Sequence, residues 1–209
     1  MELSEYILAH CDKEPEYLNK IYRETNSVQL NGRMACGHLE GRILALLSKI
    51  VHPECIVEIG CFTAYSTLCL AEGLADSGVL HTYECDDELK NTILYNISQS
   101  PYYEAIKLHI GDARQLLENQ LAPHSVDLAF IDADKRQYLD YYEIMLGLMK
   151  SGGVMLVDNT LWDGKITTEN PKDKQLTALR NFNDFIAKDE RVSVTILPVR
   201  DGITIIRVL

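Results

Sequence analysis

The chain has 209 residues, 46% of them hydrophobic and 24% charged, with a formal net charge of −11; this length suits one α/β domain that buries roughly 70% of its unfolded surface. The acidic balance argues against nucleic acid or an anionic membrane as partner, since both are met by a basic face. No apolar stretch approaches the ~20 residues of a membrane span, and Met1-Glu2-Leu3-Ser4-Glu5 lacks the regions of a signal peptide, so a cytoplasmic protein is expected.

Helical spacing runs from Pro15 to about Thr25 and again from Gly37 to Val51, where Leu39, Ile43, Leu46, Leu47 and Ile50 form one apolar stripe. From there the chain alternates. Short apolar runs at Cys55–Ile59, Val79–Glu84, Ile106–Ile110, Val126–Ile131 and Val154–Val157 read as strands, with helical patterns around 65–75, 87–99, 113–119 and 137–150 between them. That rhythm implies right-handed βαβ units and a doubly wound parallel sheet with helices on both faces. The tail departs from it: after a helix near Lys174–Lys188, Arg191–Leu197 and Gly202–Val208 are separated only by Pro198-Val199-Arg200-Asp201. Parallel neighbours need a longer crossover, so this pair is expected to be an antiparallel hairpin. A single domain spanning 1–209 follows, with residues 1–51 as a helical extension. Six cysteines (Cys11, Cys36, Cys55, Cys61, Cys69, Cys85) show no C-x2-C pair and read as free thiols in a reducing compartment rather than as disulfides or a zinc site.

Two of the apolar runs end in acid, one at Asp132-Ala133-Asp134-Lys135 and the other at Asp158-Asn159. Ligands of such sheets bind beyond the carboxyl ends of the strands. Asp132, Asp158 and Asn159 are all oxygen donors, the ligand type of a hard divalent cation, and Lys135 lies beside the first.

The first strand runs through Glu58-Ile59-Gly60 into Thr63-Ala64-Tyr65-Ser66. Gly60 permits close backbone approach to a ligand, and Thr63 and Ser66 are both candidate helix N-caps. A dinucleotide site would want G-x-G-x-x-G, and only Gly60 is present. Glu84, about 24 residues after Gly60, is placed to accept the hydroxyls of a ribose, and Asp112, in Gly111-Asp112-Ala113, to accept an adenine amino proton. Singly, each acid reads equally as a surface group or a helix cap. Together they describe a nucleoside pocket without a phosphate cradle, which suits S-adenosylmethionine.

These residues resemble the cation-dependent class I O-methyltransferases, the group of the caffeoyl-CoA and catechol enzymes. The resemblance runs from about Arg33 to the C-terminus. It is carried by Gly37-His38-Leu39-Glu40-Gly41, Glu58-Ile59-Gly60 with Thr63-Ala64-Tyr65-Ser66, Phe130-Ile131-Asp132-Ala133-Asp134-Lys135, Gly152-Gly153 with Asp158-Asn159-Thr160-Leu161-Trp162, and Asp201-Gly202-Ile203-Thr204. It implies a Rossmann-like methyltransferase fold with Asp132, Asp158 and Asn159 as metal ligands and Lys135 as the catalytic lysine. It also implies Glu84 on the ribose, Asp112 and Ala113 beside adenine, and Glu58, Gly60, Thr63 and Ser66 around the methionine moiety. Met34 and Cys36 fall in a segment whose backbone closes over the cofactor carboxylate. Ala64 stands where the family usually has glycine.

The implied reaction is methyl transfer from S-adenosylmethionine to a hydroxyl of a catechol-like phenolic small molecule. A cation (Mg²⁺, with Mn²⁺ or Ca²⁺ as alternatives) lowers the hydroxyl pKa and fixes its orientation, Asp132 holds it, and Lys135 is the general base. Asp134 reads as structural, Trp162 as an acceptor flank or core residue, and Tyr138, Tyr141 and Tyr142 as packing groups. The resemblance implies a homodimer. The competing readings are a nicotinamide-dependent oxidoreductase on the same sheet, a metal-dependent hydrolase and a non-catalytic cofactor-binding module.

Overall fold

The computed structural model describes residues 2–28, 36–168 and 172–209. Among the described residues, the helices α1 (Leu3–Ala9), α2 (Glu16–Val28) and α3 (His38–Val51) precede the first strand. The alternating part follows as β1 (Cys55–Ile59), α4 (Tyr65–Ala71), β2 (Val79–Glu84), α5 (Lys90–Ser98), β3 (Ile106–Ile110), α6 (Ala113–Gln120), β4 (Val126–Ile131), α7 (Tyr138–Leu148) and β5 (Met149–Val157). Helix α8 (Lys174–Ile186) and the hairpin of β6 (Val192–Leu197) and β7 (Ile203–Val208) complete it.

The described residues form one seven-stranded sheet in the order β3-β2-β1-β4-β5-β7-β6. Strands β1 to β5 pair in parallel, and β7 runs antiparallel to both β5 and β6. The doubly wound sheet with a terminal antiparallel hairpin is therefore as expected. Alternate residues of the strands feed two apolar layers. Ile56, Leu128 and Phe130 pack with α2 to α5, while Val57, Ala129 and Ile131 pack with α6 to α8. Both faces being covered explains why β1 and β4 read as apolar runs. Asp127 is accommodated inside one of them because its Oδ2 accepts the Glu54 and Cys55 amides and its Oδ1 pairs with Lys150 at 2.8 Å. The tyrosines Tyr138, Tyr141 and Tyr142 are buried as packing groups.

Three expectations need correction. Helix α1 was not foreseen: it is seven residues long, and Leu3, Tyr6 and Leu8 remain exposed. Strand β5 begins at Met149, five residues before the expected start, because Lys150-Ser151-Gly152-Gly153 hides a strand that slips register against β4 between Val126 and Leu128. The apolar stripe of α3 is only partly its buried face: Ile43 and Leu47 pack half-buried against the core. Leu46 and Ile50 are 58% and 70% exposed, and the helix turns Gly41, Leu44, Ala45 and Ser48 inward. Small residues let α3 and α4 approach closely: a Cβ on Gly41 would sit 2.8 Å from the Tyr65 ring. Arg42 bridges the same helices to Glu72 at 2.6 Å, with both side chains buried.

Candidate active site

The sheet order reverses between β1 and β4, so the loops leaving these two strands diverge and open the crevice where such folds bind ligands. The two strand ends are interlocked: the Asp132 amide donates to the Ile59 carbonyl at 2.9 Å, and the Gly60 amide to the Tyr83 carbonyl at 2.8 Å. Gly60 has φ +89°, and a Cβ there would lie 2.1 Å from the Asp132 carbonyl oxygen. Beyond it Phe62 (φ +50°) and Ala64 (φ +69°) are also left-handed.

Ala64 occupies the N-cap of α4 and no side chain caps this end, so neither Thr63 nor Ser66 does so as expected. Their hydroxyls are engaged elsewhere. Thr63 accepts from the Thr25 hydroxyl at 2.9 Å, and Ser66 donates to Glu58 at 2.6 Å. A methyl group in the left-handed region costs about 1–2 kcal/mol relative to glycine. Allowing for the greater unfolded-state entropy of glycine, Ala64→Gly is expected to stabilise the chain by about 0.5–1 kcal/mol, read as a raised denaturation midpoint.

Glu58 is fully buried, its carboxylate accepting from the hydroxyls of Ser66, Thr67 and Thr82. Burial pushes its pKa up to about 7 against the pull of those three donors. Both oxygens serve the scaffold, so Glu58 shapes the loop from beneath. Glu84 ties β2 to the same loop: Oε2 accepts the Phe62 amide at 2.9 Å and Oε1 the Asp86 amide at 3.0 Å. Oε1 also accepts from the Cys85 thiol at 3.6 Å, and Oε2 keeps a further lone pair for a ligand hydroxyl. Asp112 is occupied differently. It caps α6, and its two oxygens take the Arg114 amide and guanidinium, the latter at 2.6 Å, which holds its carboxyl below the ordinary value. Ala113 beside it is buried. A small pocket is lined by Cys36, Gly60, Cys61, Phe62, Thr63, Tyr65, Ser66 and Asp132. Met34 lies outside the described residues. A broader hollow beside Phe185 and Arg191 contains none of the candidate residues.

On the neighbouring side, Lys135 donates to Asp132 Oδ1 at 2.6 Å, with its ammonium 5.4 Å from the centre of the Tyr138 ring. The Tyr138 hydroxyl donates to the Asp158 carbonyl at 3.0 Å, linking the two acid-ended strands. Asp158 is 4% exposed and accepts from the Asn159 amide (2.7 Å) and side chain (3.0 Å). Burial, then the nearby charges of Asp132 and Glu40, raises its pKa far above the carboxylate range. The loop that follows is stapled to the β6–β7 turn: the Leu161 and Trp162 amides donate to the Asp201 carbonyl at 2.7 and 3.2 Å. Asp134 instead caps the turn after β4 and pairs with Arg136, a structural role. Trp162 packs half-buried against the α6–α8 layer.

Of the expected residues, Cys36, Gly60, Thr63, Ser66 and Asp132 line one pocket, Lys135 pairs with Asp132, and Asn159 bonds Asp158, while Asp112 and Ala113 join neither group. Sequence reasoning gave no role to Glu40 or Arg200, which join the acid group through a 2.5 Å ion pair. They are 160 positions apart, and no local spacing signals their meeting. Among the described residues, no three His, Cys, Asp or Glu side chains already converge as a metal site; Asp132 leans instead on Lys135.

A family model described as O-methyltransferase matches residues 8–209. The chain is 33% identical over 219 residues to a caffeoyl-CoA O-methyltransferase of Stellaria longipes, covering 99% of this chain and 90% of that protein. It is 31% identical to the catechol O-methyltransferase domain-containing protein 1 of Mus musculus, covering 97% of this chain and 78% of the relative. The structure of an O-methyltransferase from Bacillus cereus in complex with SAH superposes with a TM-score of 0.90 at 27% identity, covering 98% of this chain and 96% of that one. The oxidoreductase and hydrolase readings lose their ground, and the chain belongs to the O-methyltransferase family.

Proposed function

We propose that this chain transfers the methyl group of S-adenosylmethionine to one hydroxyl of a vicinal dihydroxy aromatic small molecule, with a divalent cation in the acceptor half of the site. The observation that carries the reading is the double membership of Asp132. It lines the pocket beneath the β1 loop, and its charge is felt by buried Asp158 at the end of β5, so in this reading one residue borders both donor and acceptor. The SAH complex of the Bacillus cereus relative and the caffeoyl-CoA and catechol names of the others support the two halves.

The donor set fits a cation. Asp158 and Glu40 are buried within electrostatic reach of each other and of Asp132, with their carboxyl pKa values raised by burial and, at Asp158, by the neighbouring acids; such a concentration of carboxylate oxygen is what a hard dication neutralises. Asp132, Asp158 and Asn159 would hold it. When bound, it lowers the pKa of an acceptor hydroxyl and orients that hydroxyl, and Mg²⁺ is the natural choice for an all-oxygen set, with Mn²⁺ or Ca²⁺ as substitutes.

The protein's own groups do the rest. Lys135, held over the Tyr138 ring, would take the hydroxyl proton at Nζ as the neutral amine, becoming the ammonium that pairs with Asp132. Gly60 and the loop to Ser66 hold the methionine end, and Cys36 borders it. Glu84 accepts from the ribose hydroxyls, Ala113 borders the base, and Glu58 keeps the loop in shape. Methyl transfer is an in-line displacement, so fixing donor and acceptor on adjoining strand ends supplies alignment. The reading includes one domain over 1–209 and a cytoplasmic homodimer. No helix among the described residues is long and apolar enough to cross a membrane.

Glu84→Gln tests the cofactor half. Losing hydrogen bonds to a charged acceptor is expected to weaken S-adenosylmethionine binding about tenfold or more by calorimetry. An unaltered affinity in the folded variant would move the ribose elsewhere.

A further inference from the structure

Glu40 stands in the first turn of α3 and is 2% exposed. Its Oε2 accepts from Arg200 Nη1 at 2.5 Å, the guanidinium reaching over from the β6–β7 turn, where Arg200 is left-handed at φ +48°. Asp158, Asp132 and the Cys36 thiol lie near enough to influence the carboxyl electrostatically. Oε1 nevertheless has no hydrogen-bond donor among the described residues. A buried acceptor left in this state costs about 1–3 kcal/mol, and the Arg200 clamp prevents the carboxylate from turning away to relieve it. Two of these neighbours, Asp132 and Asp158, are the acids of the proposed cation site. Ions of the magnesium type keep several of their waters when bound by few protein ligands, and those waters are O–H donors. Carboxylates just outside the ligand sphere commonly orient such sites through hydrogen bonds.

We propose that Glu40 is a positioning residue of the cation site. Its Oε1 accepts a hydrogen bond from water on the ion held by Asp132, Asp158 and Asn159, while Arg200 fixes the carboxylate through Oε2. Helix α3 and the β6–β7 turn are thereby coupled to the ion, although neither carries a ligand. The inference rests on the cation reading above and extends it to residues outside the strand-end motifs.

The test is Mn²⁺ titration of the intact protein, followed by electron paramagnetic resonance, for wild type, Asp158→Asn, Glu40→Gln and Glu40→Asp, with thermal melts to establish folding. Wild type is expected to bind Mn²⁺ and Asp158→Asn to lose it. Glu40→Gln is expected to bind about 10- to 100-fold more weakly, the range for loss of an outer hydrogen-bonding partner. Glu40→Asp, which keeps the charge but withdraws the oxygens by one methylene, is expected to show a smaller weakening. Folded Glu40→Gln with wild-type affinity, alongside loss in Asp158→Asn, overturns the role of Glu40 and leaves the cation reading standing. Should Glu40→Gln fail to fold, wild-type affinity in Glu40→Asp overturns it equally. Absence of Mn²⁺ binding by wild type overturns both.

Discussion

Asp158→Asn is expected to lower methyl transfer by about 10³-fold or more while leaving the fold at least as stable as wild type. The kinetic loss corresponds to roughly 4 kcal/mol of transition-state stabilisation, the scale of a cation's contribution to a developing oxyanion. The stability side follows from burial. Asp158 is 4% exposed beside Asp132 and Glu40, and its ionised form is disfavoured first by desolvation and then by those charges. An amide of the same shape removes that repulsion and keeps an oxygen to accept the Asn159 amide, which now bonds Oδ1 at 2.7 Å. Activity lost with stability kept marks a residue retained for chemistry at a cost to folding. Radiolabelled methyl transfer and thermal denaturation on the same preparation check both halves. Unchanged turnover would remove Asp158 from the reaction.

Gly60→Ala is expected to damage both halves of the site together. The new methyl group would lie 2.1 Å from the Asp132 carbonyl oxygen and 2.9 Å from its carbonyl carbon. Both obstacles are backbone, so no rotamer change relieves the clash. The φ of +89° adds strain for any L side chain. Either β4 moves away from β1 or the loop rebuilds, and a loss of about 3 kcal/mol or more in stability is the scale for such backbone conflicts. Because Asp132 serves donor and acceptor alike, S-adenosylmethionine affinity and turnover should fall together. Calorimetry and denaturant melts read this out; wild-type values in both would contradict the proposed interlock.

The sheet was legible because β1 and β4 are covered on both faces and so read as apolar runs, each interrupted by a single acid (Glu58 and Asp127), that stop abruptly at Gly60 and Asp132. Asp158 was legible for the same reason. The close connection at Pro198–Asp201 revealed the antiparallel tail, since four residues cannot cross a sheet. Other features depend on what a residue meets in space. The buried face of α3 is set by the approach of α4, which selects Gly41 and Ser48 over Leu46 and Ile50. Of the two readings that the sequence leaves open for Asp112, ligand acceptor or helix cap, the structure shows the cap, with the Arg114 guanidinium two positions on sharing its oxygens. The N-cap of α4 fell to Ala64 because Ser66 was needed by buried Glu58. The Glu40–Arg200 pair joins the ends of the fold and left no trace in local spacing.

The central claim is cation-assisted methyl transfer to one of two adjacent hydroxyls. It is tested most directly by incubating the protein with S-adenosylmethionine and a panel of 3,4-dihydroxyphenyl acceptors. Each is assayed as purified, after EDTA, and after EDTA followed by excess Mg²⁺, with methylated product measured by mass spectrometry. The account predicts a monomethylated product that EDTA abolishes and Mg²⁺ restores, with monohydroxy analogues left unmethylated. Methylation that proceeds undiminished in EDTA, or equally on the monohydroxy analogues, would contradict it.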